Sequence, residues 1–535
     1  MIRNPILPGF NPDPSIINAE GRYVVATSTF EWFPGVRFHT SNDLVSWNPA
    51  GYALTDPAQL DLRGIPDSGG IWAPSLYFHG GRYWLLFTIV RTVGKAKDVD
   101  NYVTTAPSLE GPWSTPVYVG SRGFDASLFH AADGKLYLVG LRWDHRIGHP
   151  SFGGIQLQEL NPATLARIGT PRIIYQAEEL TEGPNLYFRD GWYYLLLAEG
   201  GTGWNHGIRL ARSRNVWGPY EADHQPVLTT RDLDPIAVAR DGKNGVSFGF
   251  HKAGHGELLV TDDGDWYMIH LASRPVEANE GAVCPLGRET CLQQVRWTDD
   301  GWLRLAHGGH WPALNVPTPA STKGQPQPPS RYRSILSPAT LGQTWLTLRV
   351  PATDTWSTWA IDNPDSQVLR LTGRDTLRSL DKQSLVAHPV TERNARLRAV
   401  VHADPHEPAH RAGVAAYYDT IGHVFWHVTA TDEGKRVLAV ERRDHNGEYG
   451  QMLGFDPGES GPVHLEITFH KGTVSAAASH DGELWHPLGE PLDISFLSDD
   501  HAGLLRFTGC FTGIATSDVA EHSWSAEYEH VEFMS

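Results

Sequence analysis

Short strands separated by glycine turns dominate the pattern of the first 310 residues. Five segments begin at a glycine and continue as an aromatic-rich strand: GRYVVATS from 21, GRYWLLFT from 81, GKLYLVGL from 134, GWYYLLLA from 191 and GDWYMIHL from 264. They recur at intervals of roughly 50–75 residues, the size of a four-stranded propeller blade. No segment sustains a 3.6-residue period over three turns, which argues against helices. The pattern therefore predicts an all-β fold that begins with a five-bladed β-propeller.

Upstream of each glycine lies a second short strand signal. Counting back nine residues from the second to fifth glycines, and eight from the first, reaches in chain order Asp13, Trp72, Asp125, Glu182 and His255. The innermost strand of each blade lines the central channel, so we expect these five residues to converge around one axis. Taken singly, each also fits a residue that caps a turn at a strand end. Only the set of five favours a functional site.

Three carboxylates and a tryptophan around one pit match the requirements of glycoside hydrolysis. One carboxylic acid protonates the leaving oxygen, and a second carboxylate either activates water or attacks directly. An aromatic face offers a platform for the C–H bonds of a sugar. The third acid can orient its neighbours, and crowding of like charges raises the pKa of one of them. The residues alone do not assign the roles.

Composition narrows the class of ligand. The 535 residues include 44 basic and 61 acidic ones, and the net charge of −17 is spread without blocks. This balance argues against nucleic acid and anionic membranes as partners. Three cysteines are too few for a disulfide framework and fit no zinc pattern. No run of about 18 apolar residues occurs and the N-terminus lacks the apolar core of a signal peptide, so we expect a cytoplasmic protein.

The composition also predicts the domain boundaries. Residues 1–315 hold the five repeats, and the Pro-, Ser- and Thr-rich stretch at 316–332 reads as an extended linker. Residues 333–535 again show short alternating strands, such as LRAVVHA, HVFWHVTA and VHLEITF, with Asp/Gly turns. No acid, metal or phosphate motif stands out there. We therefore expect the second domain to be a β-sandwich.

Seven motifs follow one another along the propeller half: NPILPGFNPDPSI from residue 4, STFEWFPGV from 28, GGIWAPSL from 69, FDASLFH from 124, TEGPNLY from 181, AGHGELLVT from 253 and LGRETCLQ from 286. Together they closely resemble glycoside hydrolase family 43, in particular its β-xylosidases. RAGVAAYYDT from 411 and FTGCFTG from 507 resemble the C-terminal β-sandwich of those xylosidases. The resemblance covers nearly the whole chain.

The resemblance implies a role for each acid. Asp13 matches the general base that activates water, and Glu182 matches the general acid. Asp125 matches the acid that positions Glu182 and adjusts its pKa. Arg288, in LGRET, matches a substrate-binding arginine whose guanidinium suits sugar hydroxyls; the alternative is a structural ion pair. The prolines on both sides of Asp13 would pin the base.

Aromatic residues and one histidine complete the implied site. Trp72 and Phe30 match residues that line the subsite for the terminal sugar, the alternative being ordinary core positions. Phe511 is the candidate for an aromatic side chain that the sandwich adds to the pocket, with Phe507 as a weaker candidate. His255 matches a channel histidine that approaches a hydrated, structural calcium ion in several relatives. A channel histidine with no metal role is the alternative.

The implied activity is that of an inverting, exo-acting xylan 1,4-β-xylosidase that releases terminal β-D-xylose from xylo-oligosaccharides without a cofactor in the chemistry. A homo-oligomer, dimer or tetramer, fits the family. Asn185, Trp204 and Asn205 depart from the usual xylosidase pattern, and these departures leave fine specificity open. The alternative within the class is an α-L-arabinofuranosidase or an enzyme with both activities.

Two functions other than xyloside or arabinofuranoside hydrolysis fit the sequence less well. A sugar-binding propeller without catalysis would keep Trp72 and Arg288 but has no need for Asp13, Asp125 and Glu182 together. A retaining five-bladed fructosidase or sucrase carries a different N-terminal acid motif, in which the aspartate is a nucleophile, and NPDPS does not resemble it. Both are less favoured than the xylosidase.

Overall fold

The computed structural model of the protein describes residues 1–240, 249–320, 332–360, 367–504 and 506–535. Strands make up almost all of its regular structure. The described helical segments are the α-helix Pro235–Ala239 and the 3-10 helices Ile494–Leu497 and His501–Gly503. No helix in these described ranges is long and apolar enough to cross a membrane.

Five antiparallel sheets form the blades of a propeller, and each runs outward from its innermost strand in chain order. Blade I has strands Ser15–Ala19, Arg22–Thr27, Gly35–Ser41 and Asn48–Leu54; blade II has Gly70–His79, Arg82–Val90, Val99–Ala106 and Val117–Gly120; blade III has Ser127–His130, Leu136–Trp143, Phe152–Leu160 and Arg167–Tyr175; blade IV has Thr181–Arg189, Trp192–Glu199, Gly207–Ser213, Glu221–Ala222 and Leu228–Thr229; blade V has His251–Val260, Trp266–Ser273, Glu289–Trp297 and Leu303–Leu305. The hairpin Val276–Ala278 with Gly281–Val283 projects from blade V.

The N-terminal segment closes the ring of blades. Strand Ile2–Arg3 pairs with Asn315–Val316, after the last blade. The Asn4 side chain donates to the carbonyls of Leu292 and Ala313, each at 2.8 Å, and accepts from the Leu292 N–H at 2.8 Å. These bonds tie the chain start to blade V, so blade I and blade V are held as neighbours.

Hydrogen bonds also join neighbouring blades near the axis. The Leu76 N–H of blade II donates to Ser15 Oγ of blade I at 2.9 Å, and the Ile16 N–H of blade I donates to Glu257 Oε2 of blade V at 3.0 Å. Such bonds satisfy the inward-facing backbone groups that a central channel would otherwise leave unpaired. They fix the positions of the innermost strands relative to one another.

Each innermost strand has a kink near its start, where a residue with a left-handed backbone occupies a corresponding position in every blade. These residues are Asp13 (φ 51°), Ala73 (31°), Asp125 (52°), Gly183 (55°) and His255 (50°). The kinked residue lies nine positions before the turn glycine in blades III and V, and eight positions before it in the other three. Blades III and V therefore have hairpins that are one residue longer. The prediction that Trp72 and Glu182 occupy the same position in their blades as the other three residues is wrong by one residue. The kinked residues are Ala73 and Gly183, which directly follow them.

The second domain is a sandwich of two antiparallel sheets. The larger holds Arg333–Ile335, Ser357–Ala360, Val368–Thr372, Asn394–His402, Val463–His470, Thr473–Ser479, His486–Pro487, Leu492–Asp493 and Ser525–Met534. The smaller holds Leu346–Leu348, Ser384–Pro389, His410–Asp419, Gly422–Ala430, Arg436–Asp444, Gly447–Met452 and Phe511–Asp518. The all-β prediction of a five-bladed propeller followed by a sandwich is confirmed. The predicted linker at 316–332 falls mostly on residues 321–331, which lie outside the described residues.

A short strand of the propeller joins the sandwich. Trp32–Phe33 pairs with Leu346–Leu348 and becomes the edge of the smaller sheet. A single aromatic core covers this junction; Phe10, Phe30 and Trp32 come from the propeller, and Tyr417 and Phe511 come from the sandwich. Because burial of large aromatic surface is strongly favourable, this core holds the sandwich against the end of the propeller that carries the acids.

Candidate active site

Asp13, Asp125 and Glu182 converge at the end of the channel where the innermost strands begin. They come from blades I, III and IV, and their fractional exposures are 6%, 9% and 7%. The charge of Asp13 acts on Glu182, and the charges of Asp13 and Glu182 both act on Asp125. The three carboxyl groups therefore share one largely dehydrated pit.

Asp13 is held by groups from several blades. Ser28 Oγ donates to Asp13 Oδ2 at 2.8 Å, and the same hydroxyl oxygen accepts from the Ala73 N–H of blade II at 2.8 Å. Arg288 Nη1 donates to Asp13 Oδ1 at 3.3 Å, and His255 Nδ1 lies 3.6 Å from that oxygen. With a proline on each side of a left-handed residue, the backbone adds further restriction. The carboxylate is fixed in a single orientation toward the pit.

Glu182 is suited to carry a proton near neutral pH. Burial raises the pKa of its carboxyl to about 7, and the nearby charge of Asp13 adds to the shift. The cations Arg288 and Lys97 act against it. A carboxyl group that stays protonated until about pH 7 can deliver its proton to a leaving oxygen.

Asp125 shows the same kind of perturbation. Burial raises the pKa of its carboxyl to about 7; the side chains of His255 and Arg288 lower this pKa, whereas the charges of Glu182 and Asp13 raise it further. Because like charges in one dry pit disfavour each other, Glu182 and Asp125 each hold a proton more strongly than an exposed acid does. That Asp125 orients Glu182 stays a prediction.

Arg288 joins the acids to the aromatic wall. It is 4% exposed, and its Nη2 donates to the Phe507 carbonyl at 2.7 Å while Nη1 reaches Asp13. Nη1 also contacts Thr202 Oγ1 at 3.4 Å. The guanidinium carbon lies 5.5 Å from the Phe30 ring centroid and 5.2 Å from that of Phe507. Its donors and its charge thus face the same space as the Asp13 carboxylate.

Trp72 and Phe507 form the aromatic wall; Phe30, only 1% exposed, packs against both of them as a core residue. The Trp72 ring lies 6.0 Å from Phe30 and packs edge-on against Phe507 at 5.3 Å and against Phe124 at 5.2 Å, between centroids. Trp72 Nε1 donates to the Ser68 carbonyl at 2.9 Å, which fixes the plane of the indole. Such a wall suits the apolar face of a sugar ring.

Phe511 does not belong to this wall, so the prediction that it lines the pocket is wrong. It is 0% exposed and stacks on Trp32, with centroids 3.7 Å apart, inside the interdomain core. Its position in the strand Phe511–Asp518, opposite Tyr417, points the ring into that core. Phe507, four residues earlier and outside any strand, is the sandwich residue at the pit.

Lys97 is a residue of the site that the sequence did not indicate. It is 5% exposed, and its Nζ lies 5.0 Å from the ring centroids of both Trp72 and Trp143. Burial lowers its pKa, whereas the charges of Glu182 and Asp125 raise it. Lys97 sits in the loop between two strands of blade II, where no motif distinguishes it from a surface lysine.

The surroundings of His255 do not fit a calcium ion bound by protein ligands. Nδ1 of His255 faces Asp13, and Nε2 packs against the backbone of Gly183. Calcium prefers six to eight oxygen ligands, and these contacts supply one imidazole and one carboxylate that is already bonded to Ser28 and Arg288. No catalytic step is therefore assigned to an ion, and the hydrated calcium stays a prediction.

In the described ranges, a group of side chains spaced for a metal comprises Cys284, Asp499 and Asp500. Lys252 Nζ already binds both carboxylates, at 3.0 Å to Asp499 and 2.6 Å to Asp500. This ammonium supplies the positive charge that a metal would otherwise provide. Because Lys252 belongs to the propeller and the two aspartates to the sandwich, the cluster links the two domains; Lys252 also lies 4.2 Å from the ring of Trp204.

The three departures from the usual xylosidase pattern occupy different environments. Asn185 is 8% exposed in the innermost strand of blade IV. Trp204 is half-buried, edge-on to His251 at 4.8 Å, in the loop that also carries Thr202. Asn205 is exposed. Through Thr202 and its contact with Arg288, this loop borders the pit.

Comparisons with known proteins agree with the fold of both domains. Residues 2–303 match the family model described as glycosyl hydrolases family 43, and residues 337–534 match the model of the β-xylosidase C-terminal concanavalin A-like domain. The chain is 39% identical to xylosidase/arabinosidase 43B of Humicola insolens, over 99% of this chain and 97% of that protein.

Two further relatives span the whole chain. It is 38% identical to a xylan 1,3-β-xylosidase of a Vibrio species, over 100% of this chain and 99% of that protein. The crystal structure of xylan β-1,4-xylosidase from Bacillus halodurans C-125 is 40% identical, covers 100% of this chain and 99% of its own, and superposes with a TM-score of 0.89.

Proposed function

Because the chain belongs to glycosyl hydrolase family 43, we propose that it removes terminal β-D-xylose from xylo-oligosaccharides with inversion at the anomeric carbon. The observation that carries this proposal is the convergence of Asp13, Asp125 and Glu182 with Arg288 on one pit beside Trp72. Burial of three carboxyl groups in one pit costs free energy. A catalytic role explains why the protein tolerates this cost, whereas a sugar-binding module would gain nothing from it.

The mechanism divides proton transfer between two carboxyl groups. Glu182, protonated below about pH 7, gives its proton to the glycosidic oxygen as the bond to the anomeric carbon breaks. Asp13 accepts a proton from a water molecule as that water attacks the opposite face of the same carbon. The charge of Asp13 favours the protonated form of Glu182. Both side chains complete their roles without a metal ion.

Arg288 and the aromatic wall bind and orient the sugar. The guanidinium presents planar donors next to the base, which suits hydroxyl groups of the terminal residue. Trp72 offers its face to the C–H bonds of the ring, and Phe507 limits the depth of the pit. A pit lined on several sides accepts a chain end rather than the middle of a polymer, so we propose exo action.

α-L-Arabinofuranosidase activity is the second candidate, because the Humicola insolens relative is named both a xylosidase and an arabinosidase. The same acids serve either sugar. The bond cleaved is a separate question, since one relative is named a 1,3-β-xylosidase and another a β-1,4-xylosidase. We propose the 1,4 linkage, as in the xylan β-1,4-xylosidase whose crystal structure superposes on the whole chain with a TM-score of 0.89.

The test compares kcat/KM of the purified protein on aryl β-D-xylopyranoside and aryl α-L-arabinofuranoside, followed by 1,4- and 1,3-linked xylobiose. We expect kcat/KM to be higher for the xyloside than for the arabinofuranoside, and higher for 1,4-linked than for 1,3-linked xylobiose. An arabinofuranoside preference of tenfold or more would replace the main proposal with the second candidate. Activity on neither glycoside would contradict both.

We also propose that any calcium in the channel is structural, that the protein acts as a dimer or tetramer, and that it works in the cytoplasm on small oligosaccharides. The net charge of −17 supports a neutral substrate over an anionic one. Size-exclusion chromatography with light scattering measures the oligomeric state directly.

A further inference from the structure

Phe507 is the point at which the sandwich reaches the acids. Its carbonyl accepts from Arg288 Nη2 at 2.7 Å, and its ring packs edge-on against Trp72. Its N–H donates to Ser68 Oγ of the propeller at 2.9 Å. Displacement of this one backbone would therefore move a wall of the pit and a hydrogen-bond partner of Arg288 together.

The preceding residue, Arg506, is anchored inside the sandwich. It is 5% exposed, and its Nε donates to Asp419 Oδ2 at 2.6 Å. Its Nη1 donates to the carbonyls of Phe496 at 3.1 Å and Ser498 at 2.7 Å. The guanidinium carbon lies 4.0 Å from the ring centroid of Tyr418. A planar group with this many fixed partners has one orientation, and so has the main chain next to it.

The propeller holds the same region from the other side. Asp67 accepts from the N–H of Thr420 at 3.1 Å and from its hydroxyl. Thr420 follows Asp419, the partner of Arg506, and Ser68 follows Asp67. The consecutive pairs 67–68 and 419–420 therefore meet across the interface. Ser68 binds the Phe507 N–H directly, and Asp419 binds Arg506, the residue before Phe507.

Stability alone does not account for such a buried pair. The side chains of Arg506 and Asp419 are 3% and 2% exposed. Dehydration of two charges consumes most or all of their mutual attraction, so an apolar pair of similar volume is often at least as stable. What an arginine–carboxylate pair supplies in addition is fixed geometry. Here the fixed geometry determines the position of the Phe507 backbone, and through its carbonyl the position of Arg288.

We propose that Arg506, Asp419 and Ser68 are positioning residues for hydrolysis: they hold Phe507 so that its carbonyl orients Arg288 and its ring closes the pit. This inference rests on the proposed function for its kinetic readout, and it also has a readout that needs no hydrolysis, the affinity for free D-xylose.

The test uses the full chain with Arg506→Lys and Ser68→Ala. Lysine keeps the charge beside Asp419 but cannot reproduce the planar fork, and alanine removes the acceptor for the Phe507 N–H. Glu392→Gln is the control, because Glu392 binds Arg274 across the same interface at 2.7 Å without touching Phe507. For each variant kcat, KM, the Kd for D-xylose by calorimetry and the melting temperature are measured.

We expect kcat/KM to fall at least tenfold in Arg506→Lys and at least threefold in Ser68→Ala, mainly through KM, with the Kd for xylose rising in parallel. Glu392→Gln should stay within twofold. In a double-mutant cycle, Ser68→Ala should cost less in a Phe507→Ala background, because the ring it positions is gone.

Folded variants that lose thermal stability but keep kcat/KM and Kd within twofold of the wild type would overturn the proposal and leave a structural role. If Arg506→Lys does not fold, Ser68→Ala and its cycle decide alone. A wild type that binds xylose without hydrolysing either glycoside would refute the proposed function. The ratio of each variant's Kd for D-xylose to that of the wild type would still test the positioning roles.

Discussion

Replacement of Glu182 by glutamine should change how stability depends on pH. Burial raises the pKa of Glu182 from its ordinary value of 4.5 to about 7. Below pH 4.5 the carboxyl is protonated in both the folded and the unfolded chain, so pH has no effect through this group. Between pH 4.5 and 7 the unfolded chain ionises while the folded one keeps its proton, and the wild type loses stability.

The size of the loss follows from the two pKa values. At about 1.4 kcal/mol for each pH unit between them, the wild type should lose about 3 kcal/mol by pH 8. Glutamine has nearly the same shape and cannot ionise, so the variant escapes this loss. The charge of Glu182 also raises the pKa of Asp125, and its removal therefore acts in the same direction.

The assay is urea unfolding followed by tryptophan fluorescence at pH 5, 6, 7 and 8, with Glu490→Gln as a baseline for the loss of one exposed carboxylate. We expect the stability of Glu182→Gln, relative to the wild type, to rise by about 2.5 kcal/mol between pH 5 and pH 8, because part of the total loss has already occurred at pH 5. A difference that stays constant with pH would mean that Glu182 ionises at its ordinary pKa. The reasoning that makes it the acid would then fail.

Three further outcomes are expected. Glu182→Ala should slow the hydrolysis of xylobiose far more than that of an activated aryl xyloside, because only the poor leaving group needs a proton. Asp13→Ala should slow the hydrolysis of both substrates alike. Equal losses in all four rates would contradict the assigned roles. Phe507→Ala should lower kcat/KM, whereas Phe511→Ala should destabilise the folded protein by about 3–5 kcal/mol. If Phe511→Ala instead lowered kcat/KM and Phe507→Ala destabilised the fold, Phe511 and not Phe507 would line the pit. Dialysis against EDTA should leave the initial rate unchanged, since the acid–base pair carries every proton transfer; a loss restored by calcium would argue for an ion in the site.

The blades and the acids could be predicted because their signals are local. A turn glycine followed by aromatic residues recurs in each blade, and the fold brings equivalent positions to one axis. The count was off by one for Trp72 and Glu182 because hairpin length varies between blades, and this is not visible in the turn motif. The side chains still reach the pit, since each of them directly precedes its kinked residue.

The features that were missed depend on contacts between distant segments. Lys97 belongs to the site only because its loop folds over Trp72 and Trp143. Phe511 and Phe507 lie four residues apart, and whether each faces the core or the pit depends on where a strand begins. The strand Trp32–Phe33 joins the sandwich across more than 300 residues of chain. No local pattern encodes these pairings.

The anomer that forms first is the most direct test of the assignment of Asp13 as base and Glu182 as acid. Proton NMR during the first minutes of β-xyloside hydrolysis, before mutarotation mixes the anomers, reports it without further assumptions. If Asp13 activates water opposite the leaving group, α-xylose appears first. Initial appearance of β-xylose, or a glycosyl ester trapped on Asp13, would show that Asp13 is a nucleophile and contradict the mechanism.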